Sequence, residues 1–255
     1  MEGQERNLRN VFVTGCNRGI GLEFVKQFLH LPKPPQNIFA TCRALQHEES
    51  QELRNLTQEH PNLHLLQLDV TNEEDIAKVA AEVGKVLGEE GLNLVINNAG
   101  LYLAEDLKDV TADHMMQAFQ TNTVGPLMII KALLPFLKPR AALEDPTSGV
   151  PNKAVIVNLS SRTASVADNT SGKMYPSRAS KAALNIITKS LSVDLKPDGI
   201  TAIVINPGWV KTRAGGANAL ITTQESVSGM MRVISSLDQS KTGMFFDYKG
   251  EIVPW

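Results

Sequence analysis

The chain has 255 residues, a length at the upper end for one domain, so we expect a single continuous core. The hydrophobic content of 42% and the charged content of 20% are typical of a globular protein. The net charge of -2 lacks the clustered basic excess of a protein that follows nucleic-acid phosphates, which argues against a nucleic-acid partner. No window approaches the ~20 apolar residues of a membrane span, and the first residues lack the apolar segment of a secretory signal. We therefore expect a cytoplasmic protein with no membrane partner.

A glycine-rich turn follows the first apolar segment. Residues 11–13 form a short apolar run, and apolar side chains then recur at helical spacing from Ile20 to Leu31. Three glycines stand where the pattern changes, at Gly15, Gly19 and Gly21. The pattern predicts a strand, a tight turn and a helix. Glycine permits positive φ and close approach of a ligand, and the N–H groups of a first helical turn favour an anion, although a turn alone also needs glycine.

The rest of the chain alternates between strand and helix patterns. We expect strands at 11–13, 37–41, 63–68, 92–97, 154–159, 201–205 and 243–247. After the first helix we expect helices at 49–60, 72–87, 113–137, 177–195 and 225–236, with a surface loop at 139–152. This alternation predicts a parallel sheet that is covered by helices, and nothing indicates a second domain.

Five short motifs occur in order along the chain. They are Thr14-Gly-x-x-x-Gly-x-Gly21, Asn97-Asn-Ala-Gly100, Ser160-Ser161, Ala179-Ser-Lys-Ala-Ala-Leu184 and Asn206-Pro-Gly208. In this order and spacing they resemble the short-chain dehydrogenase/reductases over nearly the whole chain, and runs 174–185 and 253–255 are most similar to the C-factor and sniffer-like carbonyl reductase branch. The resemblance implies a single Rossmann-type doubly wound α/β domain over residues 1–255, with a mostly parallel seven-stranded sheet and helices on both faces.

The resemblance also implies a set of cofactor contacts. In this family the glycine turn holds the pyrophosphate of a nicotinamide dinucleotide at the start of a helix. Asp69 is similar to the acceptor of the adenine amino group, and its alternative, a helix-capping carboxylate before Thr71 and Asn72, is compatible with that role. In this family the residue at the position of Asn97 more often braces the central strands than contacts the cofactor. The implied contacts are Gly15, Asn17, Arg18, Gly19, Ile20, Gly21, Arg43, Asp69, Val70, Asn98, Ala99, Gly100, Lys181, Pro207, Gly208, Val210 and Thr212.

Two arginines bear on which dinucleotide is bound. Arg43 follows the second predicted strand, where an acidic residue would instead accept hydrogen bonds from the ribose 2'-hydroxyl of NAD(H). Arg18 lies within the glycine turn. A guanidinium suits a phosphate, and with no acid nearby in sequence the pair predicts NADP(H). The alternative is that both are solvated surface arginines.

The expected proton donor is missing. The family transfers a hydride between the nicotinamide and a carbonyl or alcohol, and a tyrosine four residues before a lysine normally protonates the developing alkoxide. Counting back from Lys181, that position holds Ser177. A serine hydroxyl is shorter than a phenol of pKa ~10 and a far poorer acid. A shifted register, with Pro176 starting the helix, would bring Tyr175 into the site instead.

The other catalytic positions match the family. Ser161 resembles the serine that bonds the substrate carbonyl, Lys181 the lysine that bonds the nicotinamide ribose, and Asn122 the asparagine that positions a relay water. A strand-end hydroxyl and a helix-bending asparagine are the structural alternatives for the serine and the asparagine. The histidines and cysteines show no metal-ligand spacing, so we predict no metal and reduced thiols at Cys16 and Cys42. Residues 213–223 are the expected substrate lid.

These observations predict an NADP(H)-dependent oxidoreductase of the carbonyl-reductase type, impaired by Ser177. The alternative is a catalytically weak or inactive NADP(H)-binding protein that acts in redox sensing or as an interaction partner. The expected substrate is a small-molecule carbonyl or alcohol. The resemblance also allows a homodimer through the helices at 113–137 and 178–195, although burial against the sheet would explain their apolar excess equally well.

Overall fold

A single sheet runs through the residues that the structure describes, 8–142 and 154–255, in this computed structural model. Its seven strands are β1 (Asn10–Val13), β2 (Asn37–Cys42), β3 (Leu63–Gln67), β4 (Leu94–Asn97), β5 (Val155–Leu159), β6 (Thr201–Asn206) and β7 (Phe245–Asp247). They lie in the order β3-β2-β1-β4-β5-β6-β7, and every neighbouring pair of strands is parallel. The predicted Rossmann-type doubly wound α/β fold is confirmed.

Helices cover both faces of the sheet. They are α1 (Gly19–Leu29), α2 (Gln51–Glu59), α3 (Glu73–Leu87), α4 (Ala112–Phe119), α5 (Gly125–Ala142), α6 (Tyr175–Asp194) and α7 (Thr223–Ser235). Successive side chains of a strand point to opposite faces. Val11 and Val13 therefore join the apolar cluster of α1 and α7, whereas Phe12 joins the cluster of α3 and α5. Coverage on both faces explains why these strands read as apolar runs.

The strand order reverses beside β1. From β1 the chain adds β2 and β3 on one side of the sheet and later adds β4 on the other side. Val13 pairs with Ile96, so the residues that follow β1 and those that follow β4 leave the sheet side by side. Such a reversal opens a crevice at the carboxyl ends of parallel strands. The fold thus places the glycine turn beside residues 98–100.

Several element starts differ from the prediction. Helix α6 begins at Tyr175, two residues early, and Pro176 lies in its first turn, where a backbone N–H is not needed. A short 3-10 helix, Glu48–Ser50, precedes α2 within the stretch that was predicted as one helix. Strand β7 begins at Phe245 rather than 243. Gly243, with φ of +74°, turns the chain before it.

The prediction of one long helix at 113–137 is wrong in two respects. A π-helical turn, Gln120–Val124, separates α4 from α5. Helix α5 also continues to Ala142 through Pro135 and Pro139, because its final turns keep a buried face that includes Leu137. Part of the predicted surface loop at 139–152 is therefore helical, and the remainder of that loop lies outside the described residues.

No helix in the described parts of the chain is long and apolar enough to cross a membrane. Exposed apolar side chains occur on α4 at Met116 and on α6 at Ile186 and Val193. They lie within two of the helical segments through which the family resemblance allows a homodimer. The homodimer and the cytoplasmic location remain predictions.

Candidate functional site

The glycine turn opens a cradle at the start of α1. Gly15 and Gly19 have φ of +70° and +57°, backbone angles that residues with a side chain rarely adopt. A Cβ atom at Gly21 would lie 2.2 Å from the Gly15 carbonyl oxygen, so only glycine fits there. Arg18 stands at the N-cap, but its side chain does not cap the helix, and the first turn contains no acid. The first N–H groups of α1 are therefore available to an anion.

Thr14 and Asn98 fasten this turn to the end of β4. The Thr14 hydroxyl oxygen accepts hydrogen bonds from the backbone N–H of Asn98 (3.0 Å) and of Ala99 (2.9 Å). In return, the Asn98 amide donates to the carbonyl oxygens of Thr14 (2.7 Å) and Gly15 (3.0 Å). Both amide hydrogens of Asn98 and its backbone N–H are thus committed to shaping the turn. Asn97 braces β4 against β5 by donating to Asn158 Oδ1 at 2.8 Å, as predicted.

The segment after β6 forms the opposite wall of the cleft. A Cβ atom at Gly19 would lie 3.3 Å from Thr212 Cγ2, so the glycine turn and this segment face each other closely. Val210 pairs with Ile221 in a single β-bridge, which closes the base of the predicted lid. The Pro207 carbonyl accepts a 2.6 Å hydrogen bond from Ser226 of α7. The cleft is therefore lined by the turns that follow β1, β4 and β6.

One acidic residue that the sequence argument missed lies at the arginine end of the cleft. Glu49 Oε2 forms an ion pair with Arg18, and Glu49 Oε1 lies 3.4 Å from Arg213 Nη1. The sequence argument considered only acids close to the two arginines in sequence, and Arg18 pairs in space with an acid 31 residues away. Arg43 is exposed at the end of β2 and has no ion pair with another described residue.

The Asp69 carboxylate caps the turn before α3 but not the helix itself, whose N-cap is Asn72. Its Oδ1 accepts from the backbone N–H of Thr71 (2.9 Å) and from the Thr71 hydroxyl (2.7 Å). Asn72 then caps α3 by accepting from Glu74 and Asp75. Val70 is buried beneath this turn. The contact between Asp69 and an adenine remains a prediction, since capping occupies one carboxylate oxygen only.

Lys181 and Asn122 meet at Gly100. A Cβ atom at Gly100 would lie 3.5 Å from Lys181 Nζ and 3.2 Å from Asn122 Oδ1. Lys181 Nζ donates to the Leu159 carbonyl at 2.6 Å. Desolvation by burial lowers the pKa of Lys181 to about 8, because an ammonium group loses more hydration than a neutral amine does. The lysine is thus held at the carboxyl end of β5, beside the residues that follow β4.

Asn122 is fully engaged with the loop after β4 and with α6. Its Oδ1 accepts from the Leu101 N–H (2.7 Å), and its Nδ2 donates to the Leu101 carbonyl (2.8 Å) and to Ser180 Oγ (2.9 Å). The asparagine lies within the π-helical turn, so its structural alternative, a local change in the helix, is found. Its relay function remains a prediction.

The hydroxyl of Ser177 is saturated by one residue of the same loop. It accepts from the Leu103 N–H at 2.7 Å and donates to the Leu103 carbonyl at 2.8 Å. The side chain is buried, so this pairing also satisfies a polar group that water cannot reach. Its proton is therefore directed at a backbone carbonyl rather than into the cleft.

Tyr175 lies at the protein surface. It is the first residue of α6, is 40% exposed, and lines a surface depression with Asp106, Leu107, Lys108 and Lys173. Lys181 is not among the residues of that depression. The shifted register that would bring Tyr175 to Lys181 is not found.

Ser161 presents a hydroxyl proton at the end of β5. Its Oγ accepts from the Thr163 N–H (3.2 Å) and from the Thr163 hydroxyl (2.8 Å). Since both contacts use the oxygen as acceptor, its own O–H can still be donated to another group. Ser160 is buried and faces the backbone of α6 instead.

The cysteines and histidines add no further chemistry to the cleft. Cys16 and Cys42 are free and buried, and burial raises the pKa of both thiols. Among residues 8–142 and 154–255, no group of three or more His, Cys, Asp or Glu side chains could hold a metal ion.

A parallel doubly wound sheet with a glycine turn at its strand-order reversal is characteristic of dinucleotide-binding proteins. Residues 9–220 match the family model described as short chain dehydrogenase, and the chain belongs to this family of oxidoreductases. The C-signal protein of Myxococcus xanthus is 40% identical over 167 residues, which cover 64% of this chain and 93% of that protein.

Two solved structures are similar over almost the whole chain. The carbonyl reductase Sniffer of D. melanogaster is 40% identical, with a TM-score of 0.92 over 97% of this chain and 100% of that one. The NADPH-bound carbonyl reductase from chicken fatty liver is 41% identical, with a TM-score of 0.92 over 98% of this chain and 100% of that one.

The close approach at Gly21 can be tested by Gly21→Ala. The new Cβ would lie 2.2 Å from Gly15 O and 2.5 Å from Asn98 Nδ2, so we expect the free energy of unfolding to fall. Overpacking of this kind costs roughly 1–3 kcal/mol, which chemical denaturation resolves. Gly88→Ala is the control, because its Cβ would meet nothing within 4 Å and its cost is confined to the backbone. A Gly21→Ala protein as stable as the wild type would contradict the geometry of the turn.

Partial desolvation of the half-buried Lys181 side chain predicts a pH dependence of stability. The folded protein releases this proton near pH 8, whereas the unfolded chain holds it to about 10.5, so unfolding takes up a proton between these values. We therefore expect the free energy of unfolding of the wild type to rise relative to that of Lys181→Met between about pH 8 and 10, with no such change below about pH 7.

Chemical denaturation of both proteins at several pH values measures this difference. Lys189→Met removes an exposed lysine from the same helix and controls for the change in net charge. A wild-type protein that loses stability relative to Lys181→Met over this range would show that the ammonium is not desolvated.

Proposed function

We propose that this protein binds NADP(H) in the cleft and is an oxidoreductase of the carbonyl-reductase type whose proton transfer is impaired. The observation that carries the proposal is the glycine cradle itself, which is fastened by Thr14 and Asn98 at a helix start without a capping side chain. The NADPH-bound carbonyl reductase with a TM-score of 0.92 supports this choice of cofactor.

The residues present suit a dinucleotide along the whole cleft. The pyrophosphate would lie against the N–H groups of Asn17 to Gly21, and the adenosine along Asp69 to Val70 and Ala99 to Gly100. Pro207, Gly208, Val210 and Thr212 would contact the nicotinamide end. Lys181 supplies a positive charge beside Gly100 and would bond the nicotinamide ribose hydroxyls.

When bound, the nicotinamide supplies or accepts the hydride. Ser161 would donate its hydroxyl proton as a hydrogen bond to the substrate carbonyl oxygen, since its own oxygen already accepts two bonds from Thr163. Lys181 would add positive charge near the oxygen that becomes an alkoxide. These residues orient and polarise a small carbonyl or alcohol substrate, but neither repeats the proton donation of a phenol.

Ser177 limits the chemistry in two ways. A serine hydroxyl holds its proton far more tightly than a phenol of pKa ~10, so it is a poor general acid near neutral pH. Its proton is also bonded to the Leu103 carbonyl, and using it elsewhere would break that hydrogen bond. We therefore infer slow turnover, with protonation of the alkoxide left to solvent.

The same observation favours a second candidate function. A protein that holds NADP(H) without turning it over could report the redox state of the cofactor or serve as an interaction partner. The saturated hydroxyl of Ser177 supports this reading, because the cleft keeps its binding features while the acid position is used to fix the loop at Leu103. Activity measurements separate the two candidates.

The cofactor preference is testable by ligand-dependent unfolding. A ligand at about a hundred times its Kd stabilises the folded protein by about 2.7 kcal/mol, or about 5–10 °C in Tm for a chain of this size. We expect NADPH to give the larger shift at equal concentration with NADH, and Arg43→Ala to reduce mainly the NADPH shift. Arg232→Ala removes an equal charge from α7 as a control. Equal shifts for both dinucleotides would contradict the assignment of Arg43.

The proton-transfer defect is testable by Ser177→Tyr. A positioned general acid contributes about 100- to 10,000-fold, so we expect at least about a 100-fold rise in NADPH-dependent reduction across a panel of small aldehydes and ketones. Ser177→Ala is the control, because it breaks the bonds to Leu103 without adding an acid, and should leave the rate low. If Ser177→Tyr gave no gain while Tyr175→Phe removed the wild-type activity, the assigned register would be wrong.

A further inference from the structure

Glu49 connects two sides of the cofactor cleft. One carboxylate oxygen pairs with Arg18 of the glycine turn, and the other lies 3.4 Å from Nη1 of Arg213, in the segment after β6. These arginines are 31 and 164 residues away from Glu49 in the chain, so only the fold brings the three together. The carboxylate is about one-third exposed, at 35%. It can therefore be reached by a ligand that enters from solvent.

The position of Glu49 is fixed by its own loop. The backbone N–H of Glu49 donates to His47 Nδ1 at 3.2 Å, which caps the short 3-10 helix. Ser50 Oγ donates to the Ala44 carbonyl at 2.7 Å, and Arg54 donates to the His47 carbonyl at 3.1 Å. The loop that presents Arg43 at the end of β2 thus also presents Glu49, and it brings one positive and one negative group to the same end of the cleft.

We infer that Glu49 is a determinant of cofactor choice that competes with the ribose 2'-phosphate of NADP(H) for Arg18. This inference rests on the proposed function, in which Arg18 and Arg43 face that phosphate. A carboxylate already paired with Arg18 must give up or share that guanidinium when a phosphate binds, and the two anions repel each other. With NAD(H), the same carboxylate can accept a hydrogen bond from the 2'-hydroxyl. Glu49 therefore reduces the preference for NADP(H) over NAD(H) that Arg18 and Arg43 create.

Arg213 gives Glu49 a second partner during this exchange. When a phosphate takes Arg18, the carboxylate can remain paired with Arg213 rather than stand alone beside the phosphate. Binding of NADP(H) would then strengthen the tie between Glu49 and the segment after β6. Removing Arg213 should weaken NADPH binding and leave NADH binding nearly unchanged, because only the phosphate displaces the carboxylate.

The test is titration of NADPH and NADH into the full-length protein and its variants, followed by the fluorescence of the bound nicotinamide. We expect Glu49→Gln to tighten NADPH binding about fivefold or more and to change NADH binding by less than about twofold, since freeing the Arg18 guanidinium from its carboxylate partner benefits only the 2'-phosphate. Arg213→Met should weaken NADPH binding by about two- to threefold. Glu52→Gln is the matched control, because Glu52 pairs with Lys26 of α1 and contacts neither cleft arginine.

Combining Glu49→Gln with Arg18→Met tests whether Glu49 affects NADPH binding through Arg18. In the Arg18→Met background Glu49→Gln should tighten NADPH binding by less than about twofold, because the shared guanidinium is gone. An equal gain with and without Arg18, weaker NADPH binding in Glu49→Gln, or the same change for NADPH and NADH would each overturn the inference. A wild-type protein that binds no NADPH would instead overturn the proposed function. A wild type that binds NADPH as well as Glu49→Gln does would overturn only the assignment of Glu49.

Discussion

The cleft depends on the hydrogen bonds that join the end of β1 to the end of β4. One hydroxyl, Thr14 Oγ1, accepts two backbone N–H groups from the β4 turn, and the Asn98 amide returns two bonds to the glycine turn. Glycines make that turn conformationally permissive, so without outside partners it would sample many shapes. The four bonds select one shape. They do so at the strand-order reversal, where the sheet itself leaves a crevice.

Cofactor binding and proton transfer depend on different groups at this end of the sheet. The binding features are backbone geometry, a helix start and the charge of Lys181, and none of them needs a group that gives up a proton. Proton transfer needs one side chain of suitable pKa at one place, and Ser177, which we propose stands at that place, has its hydroxyl bonded to Leu103. A single residue can therefore remove the acid while the fold and the cradle stay intact.

The sequence predicted the features that local patterns encode. Apolar runs predicted the succession of strands and helices along the chain, and the glycine spacing predicted the turn. Counting back four residues from Lys181 located Ser177. Contacts through space were not predictable in this way. Glu49 reaches Arg18 and Arg213 only because the sheet brings three loops together. Leu103 holds Ser177 through backbone atoms, which every residue type possesses, so its side chain gave no signal.

Lys181 shows why the cleft is better understood as a binding site than as a remnant of packing. A desolvated ammonium group costs stability, and its one strong partner here, the Leu159 carbonyl, is uncharged. With a phenol nearby, part of that cost would be offset by stabilising a phenolate, but position 177 offers no such anion. The charge therefore makes physical sense in relation to a ligand whose hydroxyl or phosphate oxygens accept hydrogen bonds from it.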